Sequence, residues 1–180
     1  MLYTYKELRT KYKQHFVIEQ KLKDKELFKI DSGIYSDSEQ VSYMEIITKK
    51  YPKAIVSSDT AFYYHNLTNN IPDKIFLTTD RNYRRIKDKG IIQLFASNHL
   101  YDLGKENILH NGVTINIYNK ERMLIELVKN RKNMPYDYYK EIISNYREIA
   151  DDLDIELITS YLEKFQYGEN IFETIHREVF

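Results

Sequence analysis

Cysteine is absent from this chain of 180 residues. Its absence excludes disulfides, thiolate nucleophiles and every zinc site that uses a Cys ligand. Tryptophan is absent too, and glycine occurs only 5 times, never clustered, so no glycine-rich loop exists to cradle a phosphate. No run approaches the ~20 apolar residues that a membrane-spanning helix needs, and no membrane partner is expected. The opening residues, Met1 to Lys13, hold neither an apolar signal core nor a small-residue cleavage site, which points to a cytoplasmic protein. Net charge is missing as well, with 27 Lys and Arg against 27 Asp and Glu. That balance argues against a generic binder of nucleic acid.

What is present suits a globular protein. The hydrophobic fraction is 42% and the charged fraction 30%, enough for a core and a solvated surface, and the length fits one or two small domains. The charges are unevenly placed. Residues 1–35 carry 8 Lys or Arg against 5 Asp or Glu, and residues 120–180 carry 9 against 13. A basic head and an acidic tail suggest two surfaces with different partners, although a chance fluctuation of this size is as easily imagined.

The N-terminal segment reads helix, turn, helix, hairpin. Thr4 is a helix cap with Glu7 at capping-box spacing. Tyr5, Leu8 and Tyr12 recur at helical intervals, Gln14 and His15 fill the turn, and Phe16, Ile18 and Leu22 are the inward positions of a second helix. Gln20, Lys21, Lys23 and Lys25 are left facing outward. Two short β-rich runs, Leu27 to Ile30 and Ile34 to Tyr35, then flank Asp31-Ser32-Gly33, where the glycine supplies the positive φ of a tight turn. This order is that of the later part of a winged helix-turn-helix, whose second helix enters the major groove. Gln14, His15, Gln20, Lys21, Lys23 and Lys25 are then the candidate DNA contacts, with Lys29 on the wing against phosphate. Only Met1 to Tyr3 stand where a leading helix is expected, so its packing would have to come from elsewhere in the chain. A basic solvated helical face is the alternative reading of the same residues.

Residues 36–50 read as one amphipathic helix, capped by Ser38, with Val41, Met44 and Ile47 inward; Tyr51-Pro52 ends it. A short apolar run at Ala54 to Val56 precedes a serine-capped helix over Thr60 to Leu67. Strands are expected at Lys74 to Thr79 and Ile91 to Ala96, around a basic loop holding Arg81, Arg84, Arg85, Lys87 and Lys89. Asn111-Gly112 marks a hairpin within Asn107 to Tyr118. Helices are expected at Lys120 to Lys132, Tyr136 to Ala150, Asp152 to Phe165 and around Ile171 to His176.

The conspicuous residues have ordinary explanations. Glu121-Arg122 invites a catalytic role, but Asn119 as cap, an acidic first turn and an arginine paired inside the fold account for both. His65 reads as a packed or capping residue. The five histidines show no metal-ligand spacing, and Ser57 and Ser58 lack a nucleophile elbow. Neither a catalytic residue nor a cofactor is expected.

Three stretches carry a family resemblance. Phe28-Lys29-Ile30 runs into Gly33-Ile34-Tyr35. Tyr51-Pro52-Lys53-Ala54-Ile55-Val56-Ser57-Ser58-Asp59-Thr60-Ala61 continues to His65-Asn66-Leu67 and Ile71-Pro72. Ile117-Tyr118-Asn119-Lys120-Glu121-Arg122 opens an apolar helix. In this order and spacing, over residues 28–128, they resemble the AbiEi-type antitoxins of bacterial abortive-infection systems; Asn119 and Met123 depart from that family's pattern. The resemblance implies an α+β fold, with a truncated winged helix-turn-helix over residues 1–36 and a mixed α/β antitoxin domain over residues 37–180 that ends in helices. It implies a non-enzymatic regulator that represses its own operon and counteracts a neighbouring nucleotidyltransferase-like toxin of the AbiEii type. Operator DNA and that toxin are the partners, with a homodimer on DNA where the operator is palindromic. Two alternatives stay open. One is an antitoxin that binds only protein, for which the acidic tail around Asp151, Asp152, Asp154 and Glu156 could serve as a decoy. The other is a metal-dependent nuclease using Asp80 or Glu121.

Overall fold

The computed structural model describes all 180 residues, Met1–Phe180, and the chain is α+β. It forms two compact units. One comprises Met1–Lys53 with Leu109–Ile115, and the other Ala54–Ile108 with Asn116–Phe180.

The first unit runs β1 (Leu2–Thr4), α1 (Tyr5–Tyr12), α2 (His15–Lys23), β2 (Phe28–Asp31), β3 (Ile34–Ser36) and α3 (Tyr43–Lys50). The expected capping box starts α1. Thr4 Oγ1 accepts the Glu7 amide at 3.3 Å, and the Glu7 carboxylate accepts the Thr4 amide at 2.6 Å, an arrangement that stabilises a helix start by about 1 kcal/mol. Leu8, Ile18 and Leu27 form a small core, and Tyr3, Tyr12, Leu22 and Tyr35 pack on it. Gly33, at φ 76°, turns the hairpin where a side chain would be strained.

Two features differ from the sequence reading. Residues Leu2 to Thr4 are a strand, paired antiparallel with β3 in the order β1-β3-β2, with Leu2 opposite Ser36 and Tyr3 opposite Tyr35. The hairpin thereby gains a third strand, without which a two-stranded sheet is marginal. Helix α3 starts at Ser42 and not at Ser38, because Ser42 and Glu45 form a reciprocal capping box while the Ser38 hydroxyl donates to the Gln40 carbonyl. Val41 therefore lies before the helix. Met44 and Ile47 are buried as α3 packs against β1 and β3. Its last turn is tied down by Lys49 to Glu7 at 2.7 Å and Lys50 to Asp31 at 2.6 Å. Helix α3 thus belongs to the first unit, although the sequence reading divides the chain at residue 36.

The second unit is built on a five-stranded sheet. Its elements are β4 (Ile55–Val56), α4 (Ser58–Tyr64), β5 (Ile75–Asp80), β6 (Ile91–Ala96), α5 (Asn98–Tyr101), β7 (Lys105–His110), β8 (Val113–Tyr118), α6 (Lys120–Asn130), α7 (Tyr136–Glu148), α8 (Ile155–Leu162) and α9 (Gly168–Glu178), except that the ends of β7 and β8 within Leu109–Ile115, with the turn between them, count with the first unit. The strand order is β6-β5-β4-β8-β7. Strand β4 runs antiparallel to β5 and parallel to β8, and β5 runs parallel to β6. Asn111 and Gly112, at φ 49° and 79°, make the primed turn that joins β7 to β8. Met123, Leu124, Ile125, Leu127 and Val128 bury more than half the circumference of α6, which packs against α4, α8 and α9. Each such side chain contributes roughly 1.5–3 kcal/mol by leaving water. The four-residue α5 was not anticipated, since it is shorter than two turns and leaves no period to read.

Candidate nucleic-acid interface

Helix α2 is fixed by what it buries. Ile18 is inaccessible in the core of the first unit, and Leu22 packs beside it one turn later. With that side inward, the exposed stripe consists of His15, Phe16, Glu19, Gln20 and Lys23, at the i, i+1, i+4, i+5 and i+8 spacing of one helical face. Gln14 caps the helix in extended conformation with no side-chain hydrogen bond. The turn from α1 is only Lys13 and Gln14, with Lys13 at φ 58°, so His15 opens the helix and does not sit in the turn.

The seven candidate DNA contacts are not equivalent. Gln14, Gln20, Lys23 and Lys25 are exposed, and Lys29 is exposed on β2, an outer strand of the sheet. None of these three lysines meets a carboxylate. Lys21 is different: its ammonium pairs with Glu26 at 2.5 Å and lies 5.4 Å from the Tyr12 ring centre. That hydrogen bond raises the Lys21 pKa and commits the side chain to its own unit. His15 is held on two sides, by the Tyr5 hydroxyl at Nδ1, 3.0 Å, and by Glu19 at Nε2, 3.2 Å.

Phe16 corrects the sequence reading. It is 68% exposed and has no place in the core formed by Leu8, Ile18 and Leu27. Its apolar character made it look inward, but it lies two positions from Ile18, so the two fall about 200° apart on a helix of 3.6 residues per turn. Glu19 is a residue of this face that the sequence reading left unassigned; the His15–Glu19 spacing of four was the available signal. Chemically, the stripe offers one amide able to pair with a base edge, Gln20, with Gln14 at the cap before it, an apolar ring, a carboxylate at Glu19 and a lysine at its far end.

In the second unit the conspicuous residues make hydrogen bonds within the fold. Asn119 caps α6 by accepting the Arg122 amide at 3.0 Å. Arg122 is buried, donates to the Leu100 and Leu103 carbonyls at 3.0 and 3.3 Å, and pairs with Glu126 at 2.8 Å. Its Nε has no partner. Arg122 lines a cavity of about 390 Å³ with Ser57, Thr78, Phe95, Tyr118 and Glu126, where Thr78 already donates to Ser57 at 2.8 Å. His65 donates from Nε2 to the Tyr118 carbonyl at 2.7 Å, and burial holds its pKa below the usual histidine value. Asp80 accepts the Asn82 amide at 2.8 Å, and Glu121 accepts the Asp154 amide at 3.4 Å. Asp154 in turn caps α8 through the Leu157 amide at 2.8 Å. The loop from Arg81 to Lys89 is largely exposed and is anchored by the Ile86 amide on Gln93 at 2.8 Å. No three His, Asp or Glu side chains converge as a metal-holding group.

Compared with known proteins, the chain matches no protein-family model and no curated sequence.

Proposed function

We propose that this protein is a cytoplasmic antitoxin that represses its own operon, reading DNA through α2 and neutralising a nucleotidyltransferase-like toxin through its second unit. One observation carries the DNA half. A helix locked into its own core by Ile18 turns a stripe with Gln20 and Lys23 to solvent, Gln14 is exposed at its cap, and Lys25 and Lys29 next to it in the chain lack acidic partners. Amides read base edges, and unpaired lysines neutralise phosphate. The antitoxin half rests on the resemblance carried by residues 51–67 and 117–128. A homodimer would follow from a palindromic operator.

A second reading, an antitoxin that binds only protein, draws on Glu19 and Phe16. A carboxylate in the middle of the stripe repels phosphate, and an exposed ring suits a protein anchor. The nuclease reading has less support, because the Asp80 and Glu121 carboxylates hold backbone amides of local turns.

The test is growth rescue paired with DNA binding. The neighbouring reading frame is induced alone, with the full-length protein, and with a full-length variant carrying Lys23→Ala, Lys25→Ala and Lys29→Ala. The reading expects arrest by the neighbour, rescue by both forms, and binding of upstream DNA by the unsubstituted form only. Arrest that persists with the full-length protein would remove the antitoxin assignment. Rescue with equal DNA affinity in both forms, or with none in either, would remove the role given to α2.

A further inference from the structure

Phe16 is the only apolar side chain on the exposed stripe of α2. It lies in the first turn, 68% exposed, with His15 before it and Gln20 one turn further along the same face. The rest of the helix has no use for it, since Ile18 and Leu22 already close the core side. A ring kept in water at the leading end of a polar stripe calls for an apolar surface on whatever the stripe meets.

We propose that Phe16 reads the C5-methyl group of thymine in the major groove, so that the site recognised is one in which a thymine methyl lies beside an adenine read by Gln20. This rests on the reading of α2 as the DNA-contacting helix. The thymine methyl is the one apolar group that base pairs present in the major groove, and a phenyl ring contacts it without asking for a hydrogen bond. Gln20 follows Phe16 by four residues, about 5.4 Å to 6 Å along the helix, which is one to two base steps of roughly 3.4 Å. An amide at that distance is placed to pair with adenine N6 and N7. The His15–Glu19 pair, with the Tyr5 hydroxyl behind it, fixes the residues beside Phe16 on the same stripe. Charge favours DNA over protein as the occupant: Lys23, Lys25 and Lys29 have no acidic partner of their own, and the one carboxylate on the stripe, Glu19, is engaged by His15 at 3.2 Å.

The full-length protein is used to select duplexes from a randomised library at fixed salt. The selected duplex is then remade with deoxyuridine for thymidine, which removes methyl groups and nothing else. The expected result is an affinity loss of about fourfold for each contacted methyl, the factor for returning one such group to water. Phe16→Ala should bind the methylated duplex correspondingly less well and be indifferent to the replacement, and Phe16→Leu should stay sensitive. Far-ultraviolet circular dichroism checks that both variants fold. If the unsubstituted protein ignores the replacement, or Phe16→Ala is equally sensitive, the inference is overturned while the DNA reading of α2 stands. If no duplex is enriched, that reading fails and the inference with it. If Phe16→Ala keeps methyl-sensitive DNA binding but loses the toxin, the ring belongs to a protein partner and the inference is overturned.

Discussion

Gly104 and Arg122 are packed so closely that a methyl group on the glycine would lie 2.5 Å from the arginine Cβ. The same residue, at φ 77°, accepts the Asn119 amide on its carbonyl at 2.7 Å. The segment before β7 is therefore clamped onto the start of α6 by close approach and a backbone hydrogen bond as well as by the bonds from the Arg122 side chain. Gly104→Ala should destabilise the fold by about 3 kcal/mol, combining the left-handed penalty of roughly 1–2 kcal/mol with overpacking of similar size. Urea unfolding measures it, and a loss below about 0.5 kcal/mol, typical of a neutral surface change, would show that the loop relaxes freely.

Arg122 completes that clamp. Its guanidinium carbon lies 4.9 Å from the Tyr118 ring centre and 4.6 Å from that of Phe165, while its nitrogens serve two carbonyls and Glu126. Arg122→Ala should cost about 3–5 kcal/mol, the range for breaking a buried pair. Glu126 keeps Lys129 and Asn130, at 3.0 and 3.1 Å, but the Leu100 and Leu103 carbonyls lose their donor. A structural residue has a recognisable signature in the rescue assay: growth protection should return as the temperature is lowered and the variant refolds. Loss of protection by a variant of normal melting temperature would mean instead that Arg122 touches the partner.

Much of this was legible in the sequence because local chemistry decided it. The Thr4–Glu7 box, the Asn111–Gly112 turn, the Asn119 cap and the strands before and after the basic loop are each written in a few adjacent residues. What was not legible depended on distant partners. Leu2 to Thr4 form a strand only because β3 offers an edge, and α3 leaves the following sheet because Met44 and Ile47 find β1 and β3. At the candidate interface, Gln14, Gln20, Lys23, Lys25 and Lys29 fell on the exposed side as read, whereas Lys21 was claimed by Glu26 across the end of the helix. Phe16 was misplaced because hydrophobicity was given more weight than the angle it makes with Ile18.

His65 should make the second unit acid-sensitive. Its Nε2 donates to the Tyr118 carbonyl, and burial holds its pKa below the ordinary 6.5, with Lys120 pushing the same way. The folded state therefore resists a proton that the unfolded chain accepts. Stability is intact above pH 6.5, falls as pH drops below it, and levels off beneath the folded pKa, with a slope of at most about 1.4 kcal/mol per pH unit. Glu106, 3.9 Å away, has a raised pKa from burial and from Glu121, and acts in the opposite sense as it protonates. Glu7 stays clear of this window, since Lys49 holds it near 2 and its contribution is lost only below about pH 4.5. His65→Gln, which keeps a donor for Tyr118, should flatten the loss between pH 6.5 and the folded value. Identical pH profiles for the two proteins would show that the imidazole does not control it.

The lysines of the first unit should separate by their partners. Lys23 and Lys29 are exposed and unpaired, whereas Lys21 is held by Glu26 at 2.5 Å and is only 30% exposed. A lysine that neutralises a phosphate releases a counterion, so its removal lowers the slope of log affinity against log salt by about 0.9 on duplex DNA. Lys23→Ala and Lys29→Ala should each lower the slope by that amount and weaken binding to all sequences alike. Lys21→Ala should leave the slope near its starting value, because that ammonium already has an anion. Titration of one duplex at several salt concentrations measures all three. Equal slopes for all the variants would mean that these side chains do not meet phosphate, and a larger effect at Lys21 than at Lys23 would mean that the ion pair with Glu26 opens on binding and that α2 docks by a different edge.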